Sequence, residues 1–263
     1  IPSTSTLGMA KTGIGRAVAN DAIEQNPAGM SSYRRYVIDV LYGYALDFNQ
    51  NIFKGSIVDN QTSKTAFGIS YRRFFETKSQ LTTLTSFDNP TVGQHATLAM
   101  SYPLSRILSI GANSSYYDNG KHTEWTKLFY GDLGLIARIL PTLTTGFSLY
   151  NAWTTAEERL FKRFIGFGVS VPTSEFALSG DMIITDLDAM KSSSQLRFGG
   201  EYVLNKEYFF RAGYSFKSEK SHHWSIGFGV ANETTSLDFS LYLTPNEKTT
   251  ESAFQIGIAS YFL

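Results

Sequence analysis

From Tyr36 to the C-terminus the sequence alternates in steps of two, and that period limits the folds open to it. The stretch "LDFSLYL" sets Leu237, Phe239, Leu241 and Leu243 against Asp238, Ser240 and Tyr242. "QLRFGGEYVL" sets Leu196, Phe198, Tyr202 and Leu204 against Arg197 and Glu201. "FRAGYSFK" sets Phe210, Ala212, Tyr214 and Phe216 against Arg211, Ser215 and Lys217. A side-chain period of two belongs to an extended strand with one apolar face. About fourteen such segments are expected: 36–48, 51–59, 65–75, 95–103, 106–118, 128–139, 142–153, 160–172, 176–187, 194–204, 208–218, 222–232, 235–245 and 251–263.

The connections between them alternate in length. Links such as Leu140-Pro141, Pro172 to Glu175 and Asn232 to Thr234 are tight, whereas Glu76 to Gln94 and Asn119 to Lys127 are longer and more polar. Short turns on one rim and longer loops on the other are the pattern of a transmembrane β-barrel. An even strand number returns the C-terminus to the rim where the first strand starts. The end "FQIGIASYFL" is an aromatic-tipped strand, similar to the terminal signal by which such barrels are recognised for insertion.

Composition agrees. Apolar residues make up 42% of the 263, yet no apolar run approaches the roughly 20 residues of a membrane helix, so a helical membrane protein is excluded. Aromatics stand at 14%, which suits the girdles of a barrel at both membrane interfaces. A soluble β-sandwich also alternates, but its outer faces are charged and Lys-rich. Here the second face is dominated by Gly, Ser and Thr with scattered charges, as a lumen would be. With 23 basic and 23 acidic residues the chain lacks the surplus that a nucleic-acid partner demands. No cysteine is present, which removes disulfides, thiolate catalysis and Cys-zinc sites. Ile1-Pro2-Ser3 has no basic start or apolar core, so an exported protein is expected here in its mature form, in the bacterial outer membrane.

Residues 1–32 break the alternation. They are small and polar, with Gly8, Gly13 and Gly15, then Asp21 leading a short helix that Asn26-Pro27 ends. Ala17 to Asp21, then Asn26, Pro27, Ala28 and Gly29 before an aromatic first strand, resemble the FadL/TodX-like long-chain fatty-acid transporter family and its small PorV-like relatives. "SIVDNQTSKTAFGISY" also looks like the second and third strands of the smaller members. The resemblance implies a hatch, 1–32, folded inside a fourteen-stranded barrel, 33–263. It makes Asp21, Asn26, Pro27, Ala28 and Gly29 the hatch motif. Asn26 is expected to cap backbone groups, and a lipid carrier of this type would place an apolar pocket beside Asn26-Pro27.

Alternation turns Asp39, Asp132, Asp181, Glu201 and Asp238 inward, together with Arg72, Arg138, Arg197, Arg211 and Lys217. Unpaired charges in a narrow interior are costly, so acid–base pairs across strands and to the hatch are expected. Phe67, Leu133, Leu135, Phe198, Phe210 and Phe228 should face lipid. Phe198, Tyr202, Phe210 and Tyr214 cluster on two neighbouring strands, either as an interfacial girdle or as the wall of a homo-oligomer.

Enzyme chemistry is not expected. His222-His223 and His122 with Glu124 read as solvated loops without a third metal ligand, and no cofactor is called for. His95 lies near a rim with no evident partner, and no G-x-S-x-G occurs. Two functions remain. One is transport or binding of hydrophobic or lipid molecules. The other is a structural, oligomer-forming barrel that organises lipid or protein partners.

Overall fold

The computed structural model describes residues 3–46, 50–76, 92–118, 127–155, 162–185, 187, 193–217, 221–244 and 252–262. Fourteen strands form one closed antiparallel barrel, each paired with its neighbours in sequence and the first with the last. They are β1 (Tyr36–Ala45), β2 (Gln50–Asp59), β3 (Ala66–Glu76), β4 (Val92–Pro103), β5 (Leu108–Asp118), β6 (Lys127–Leu140) and β7 (Leu143–Thr154). Then follow β8 (Phe164–Pro172), β9 (Phe176–Thr185), β10 (Ser193–Leu204), β11 (Tyr208–Lys217), β12 (Ser221–Ala231), β13 (Thr235–Leu243) and β14 (Ala253–Phe262). Closure runs from Tyr36 opposite Phe262 to Ala45 opposite Ala253, so the sheet has no free edge.

The alternation sorts side chains as the sequence led us to expect. Phe67, Leu133, Phe198, Phe210 and Phe228 are exposed on the outer wall, and Leu135 is half-buried there. Leu98 and Ile226 are 62% and 60% exposed, a placement that only a hydrocarbon environment makes favourable. No helix among the described residues is long and apolar enough to cross a membrane.

Several boundaries differ from expectation by one to four residues; β5 starts at Leu108 rather than 106 and β8 at Phe164 rather than 160. β4 starts at Val92, three residues early, because Gly93 is not a loop glycine. It lies opposite Phe74 in the ladder, and a Cβ on it would sit 2.0 Å from that ring. An aromatic laid across a strand glycine shields its backbone. His222 and His223 belong to β12 rather than to a loop. The His122–Glu124 pair and the long loop's residues 77–91 lie outside the described residues.

The N-terminal segment lies inside the barrel. It forms α1 (Thr4–Gly8), α2 (Ala19–Gln25) and a 3-10 helix (Pro27–Ser32). A barrel of about eight strands is filled by its own side chains, and one of about sixteen leaves an aqueous channel. Fourteen strands leave room, and the segment takes it. Leu7, Ala10, Ile14, Ala22, Ile23, Ala28 and Met30 are all buried.

The segment differs from its sequence reading in three ways. The sequence shows one helix; α1 is a second, capped by Ser3, whose hydroxyl accepts from Thr6 N at 3.3 Å. Asp21 does not lead α2. The helix starts at Ala19 without a side-chain cap, and the Asp21 carboxylate instead accepts from Ser5 Oγ at 2.9 Å and Thr6 Oγ1 at 3.0 Å, joining α2 to α1. Asn26-Pro27 ends α2 but starts another helix, with Pro27 at the first position, where its missing N–H costs nothing.

Candidate functional site

The segment meets the wall at glycines. Inward-facing Gly68, Gly111, Gly134, Gly146, Gly168, Gly199, Gly213, Gly227 and Gly257 all lie against segment atoms. At Gly111 a Cβ would stand 2.4 Å from Ala28 N, and at Gly146 it would stand 2.0 Å from Ile14 O. These faces look lumen-like in sequence because a second layer of backbone must fit against them.

The Asn-Pro-Ala-Gly turn is fitted residue by residue. Asn26 is fully buried. Its Nδ2 donates to Ile14 O at 2.9 Å and to the wall carbonyl of Leu135 at 3.1 Å, with Phe147 O further off at 3.4 Å. Its Oδ1 accepts from Ala28 N at 3.3 Å, capping the 3-10 helix. Ala28 is buried against Gly111, and Gly29 must lack a side chain, since a Cβ would sit 1.9 Å from Ala17 O. Among the described residues, neither described cavity is lined by Asn26 or Pro27, against which the wall glycines Gly111, Gly134 and Gly146 pack. The described cavities lie nearer the short-turn rim. One, of about 480 Å³, is lined by Val18, Ile107, Ile136, Arg138 and Pro172. The other, of about 520 Å³, is lined by Arg16, Asp39, Glu201, Arg211 and Asp238 among others.

The inward charges are only partly paired with one another. Arg211 joins Glu201 at 2.7 Å and also contacts Asp238, and Arg16 of the segment reaches Glu201 at 2.6 Å. The other acids use different donors. Asp181 accepts the backbone N–H groups of Gly13 and Ile14 at 2.7 and 3.1 Å. Asp39 accepts from Ser56 Oγ at 3.4 Å. Arg197 donates to Lys11 O at 3.1 Å and Gln195 Oε1 at 2.8 Å rather than to an acid. Arg138 is exposed at the mouth and makes no ion pair among the described residues. The expectation of acid–base pairs fails at Asp181 and Arg197 because the segment supplies backbone groups that serve the same charges.

Arg72 is paired, but with a segment residue that the sequence does not single out. Glu24 of α2 contacts Arg72 and lies 3.1 Å from Lys54 Nζ, and Ser70 Oγ donates to it at 2.9 Å. Burial alone would lift the Glu24 carboxyl, but Arg72 and Lys54 outweigh it and hold it well below the usual carboxylate range. Lys54 escapes a reading by alternation because its inward row also holds Ile52 and Val58, while the outward row holds Gly55.

Asp132 sits at a break in the wall. The β5–β6 ladder skips from Ala112–Leu133 to Ser115–Tyr130, and β6–β7 shifts register between Gly131 and Leu133. Side chains replace the missing backbone bonds. Asp132 N donates to Asn113 Oδ1 at 2.8 Å, and Asn151 N donates to Asp132 Oδ1 at 2.8 Å. Asn113 Nδ2 donates both to Asp132 Oδ2 at 3.0 Å and to Ile23 O at 2.9 Å in the segment. Asn151 adopts a φ of 54°, a left-handed conformation that asparagine tolerates. On the lipid side the Trp153 ring covers Gly131. This seam is the one interruption in the ladders joining β5 to β7 that also carries a bond to the segment.

His95 is not isolated: its Nε2 pairs with Tyr130 Oη at 2.7 Å, and its ring stacks on that tyrosine. On the outer wall Phe198 faces Tyr214 and Tyr202 faces Phe210 across the β10–β11 ladder. Phe210 also packs on Phe228, and Tyr214 on Trp224.

No family model matches the sequence, and none of the curated proteins does. Solved structures share the fold along nearly the whole chain. The CymD monoaromatic hydrocarbon channel matches with a TM-score of 0.71 at 12% identity, over 99% of this chain and 97% of that one. The Ralstonia pickettii toluene transporter TbuX gives 0.67 at 14%, over 98% and 97%. A Pseudomonas aeruginosa FadL homologue gives 0.67 at 11%, over 99% and 98%.

Proposed function

We propose that this chain is an outer-membrane channel for small hydrophobic molecules, built on the FadL-like plan. Residues 1–32 are its hatch. The observation that carries the reading is the seam at Asn113, Asp132 and Asn151. With the segment filling the axis, a hydrophobic solute needs another way out. The seam is where side chains rather than the backbone ladder close the wall, and where Asn113 holds the hatch as well. Trp153 covers it from the lipid. The fold shared with the toluene transporter TbuX and the hydrocarbon channel CymD points to the same solute class.

The test is uptake of a labelled aromatic hydrocarbon into vesicles whose outer leaflet is lipopolysaccharide. Protein should speed entry, and Trp153→Ala should speed it further. Uptake equal to that of protein-free vesicles overturns the reading.

A second reading, a structural barrel that assembles with copies of itself, is favoured by the packed aromatic row Phe198, Tyr202, Phe210 and Tyr214. In that reading the row is the protomer contact.

A further inference from the structure

We propose that the outer wall of β4 and β5, at the short-turn rim, binds an anionic phospholipid whose phosphate lies between Lys64 and Arg106. The rim carries its charges on two separate halves. From the approach to β1 through the β6–β7 turn, the described charges at or beside the turns are Arg34, Arg35, Lys64, Arg106 and Arg138 against Asp59. From the β8–β9 turn through the β12–β13 turn they are Glu175, Glu207 and Glu233 against Lys206. One half of the rim is therefore basic and the other acidic, although the chain as a whole is neutral.

The basic half meets both ends of a lipid. Lys64 leaves the β2–β3 turn and lies on Tyr102 of β4: Nζ donates to Tyr102 Oη at 3.0 Å and stands 4.6 Å from the ring centre. That bond engages one of the three ammonium donors. Arg34 donates to Gln61 O of the same turn at 2.6 Å, and Arg106 is exposed in the next turn, β4–β5. The acid of this half, Asp59, is committed to its own turn. Its carboxylate accepts from the N–H groups of Gln61 and Thr62 at 2.9 and 3.0 Å and from Thr62 Oγ1 at 2.6 Å. Beside the cations Leu98, Met100, Tyr102, Leu104, Ile107 and Ile110 are all exposed, with Tyr102 opposite Ile110 in the ladder. Leu104 and Ile107 flank Arg106, and Ile107 is 63% exposed, so the turn itself is amphiphilic.

This order, an aliphatic strip ending in an aromatic and then in cations, fits a phospholipid, which presents chains, glycerol and phosphate in the same order. An acidic protein docking at the rim would have to cover Leu104 and Ile107 and would find Lys64 laid on the wall. Short turns of such barrels face the periplasm, so the lipid belongs to the periplasmic leaflet. The site requires only that the barrel span a bilayer, whatever solute it carries.

The test is native mass spectrometry of the full chain in mild detergent, titrated with an equimolar mixture of phosphatidylglycerol and phosphatidylcholine bearing the same chains. A basic residue beside an anionic lipid surface changes association roughly fivefold. The first adduct on wild type should therefore favour phosphatidylglycerol by roughly fivefold or more. Lys64→Gln with Arg106→Gln should bring the ratio toward one, and Lys206→Gln on the acidic half should leave it unchanged. Glycerophosphoglycerol, the same head without chains, should not displace the lipid; displacement at equal concentration would make this a site for free phosphodiesters and overturn the proposal. Equal adducts of the two lipids on wild type, or a preference that survives the double substitution, overturns it as well. So does a wild type without lipid preference that retains a polyglutamate peptide which the double variant releases, since the basic half would then be a protein-docking surface. Should the double variant not fold, Lys64→Gln alone must lower the ratio, and an unchanged ratio refutes the site.

Discussion

Gly146→Ala adds one methyl group to the inner wall and tests whether the segment is seated by backbone contact. The new Cβ would lie 2.0 Å from Ile14 O and 2.6 Å from Ile14 C, with Asn26 Nδ2 at 3.0 Å. All three are closer than ordinary van der Waals contact, and two belong to backbone. β7 is held by ladders on both sides, so the segment is what must give. If it withdrew fully here, the Asn26 bond to Leu135 O and the two from Gly13 N and Ile14 N to Asp181 would be lost. Neutral bonds are worth about 0.5–1.5 kcal/mol each and those to a carboxylate about 1.5–3, so full withdrawal costs roughly 3.5–7.5 kcal/mol. Overpacking relieved by a partial shift costs about 1–3 kcal/mol, and the molecule takes that cheaper course. At 1.4 kcal/mol per decade, the unseated fraction should rise roughly 5- to 150-fold. Trypsin cleavage at Lys11 or Arg16 of the folded protein reads that fraction, because cleavage tracks the open population when opening is fast. The control is Gly55→Ala on the outward face, where a Cβ meets nothing within 4 Å. Gly146→Ala cleaved no faster than Gly55→Ala would refute the reasoning.

Asn113→Ala strips donors from Ile23 O and Asp132 and leaves Asp132 N without its acceptor. It should lower the urea midpoint of unfolding in lipid, each orphaned buried group costing about 1–3 kcal/mol. Glu24 has a lowered folded-state pKa, so its contribution is complete above the ordinary carboxylate pKa and is lost as pH falls through the lowered value. Conductance should therefore hold steady through mild acid and rise only in stronger acid, while Glu24→Gln starts high and lacks that step. If the aromatic row joins protomers, native mass spectrometry in mild detergent should show an oligomer that Phe210→Ala with Tyr214→Ala abolishes; a monomer in both would exclude it.

The barrel was legible because its wall meets two different media. Leu237, Phe239, Leu241 and Leu243 face hydrocarbon and Asp238 and Ser240 face the interior, so period and burial agree. Legibility fades where both sides of a strand are apolar or small, as at Ile52, Lys54 and Val58, and Lys54 was missed there. It fails for the segment's contacts. Nothing local to Glu24 announces Arg72, and nothing in "GDLGL" shows that Asp132 accepts the N–H of Asn151. Both depend on residues brought together by closure of the sheet. Asn26-Pro27 was visible as a break, but which carbonyls Asn26 would reach depended on where β6 and β7 carried Leu135 and Phe147.

The glycine-lined interior also bears on the order of assembly. Strand pairing is between sequence neighbours everywhere except β1 with β14. The segment's contacts are of another kind: Ser225 Oγ accepts from Ala10 N across 215 positions, and Asp181 from Gly13 N across 168. Contacts so distant in sequence carry a heavy loop-closure cost until the intervening chain has already been organised. The hairpins can therefore form and zip before the first thirty residues have anything to lie against. The N-terminal segment, first in order along the barrel sequence, is the last to be ordered. A closed but empty ring should be caught during refolding as a species with full strand signal and a protease-sensitive N-terminus.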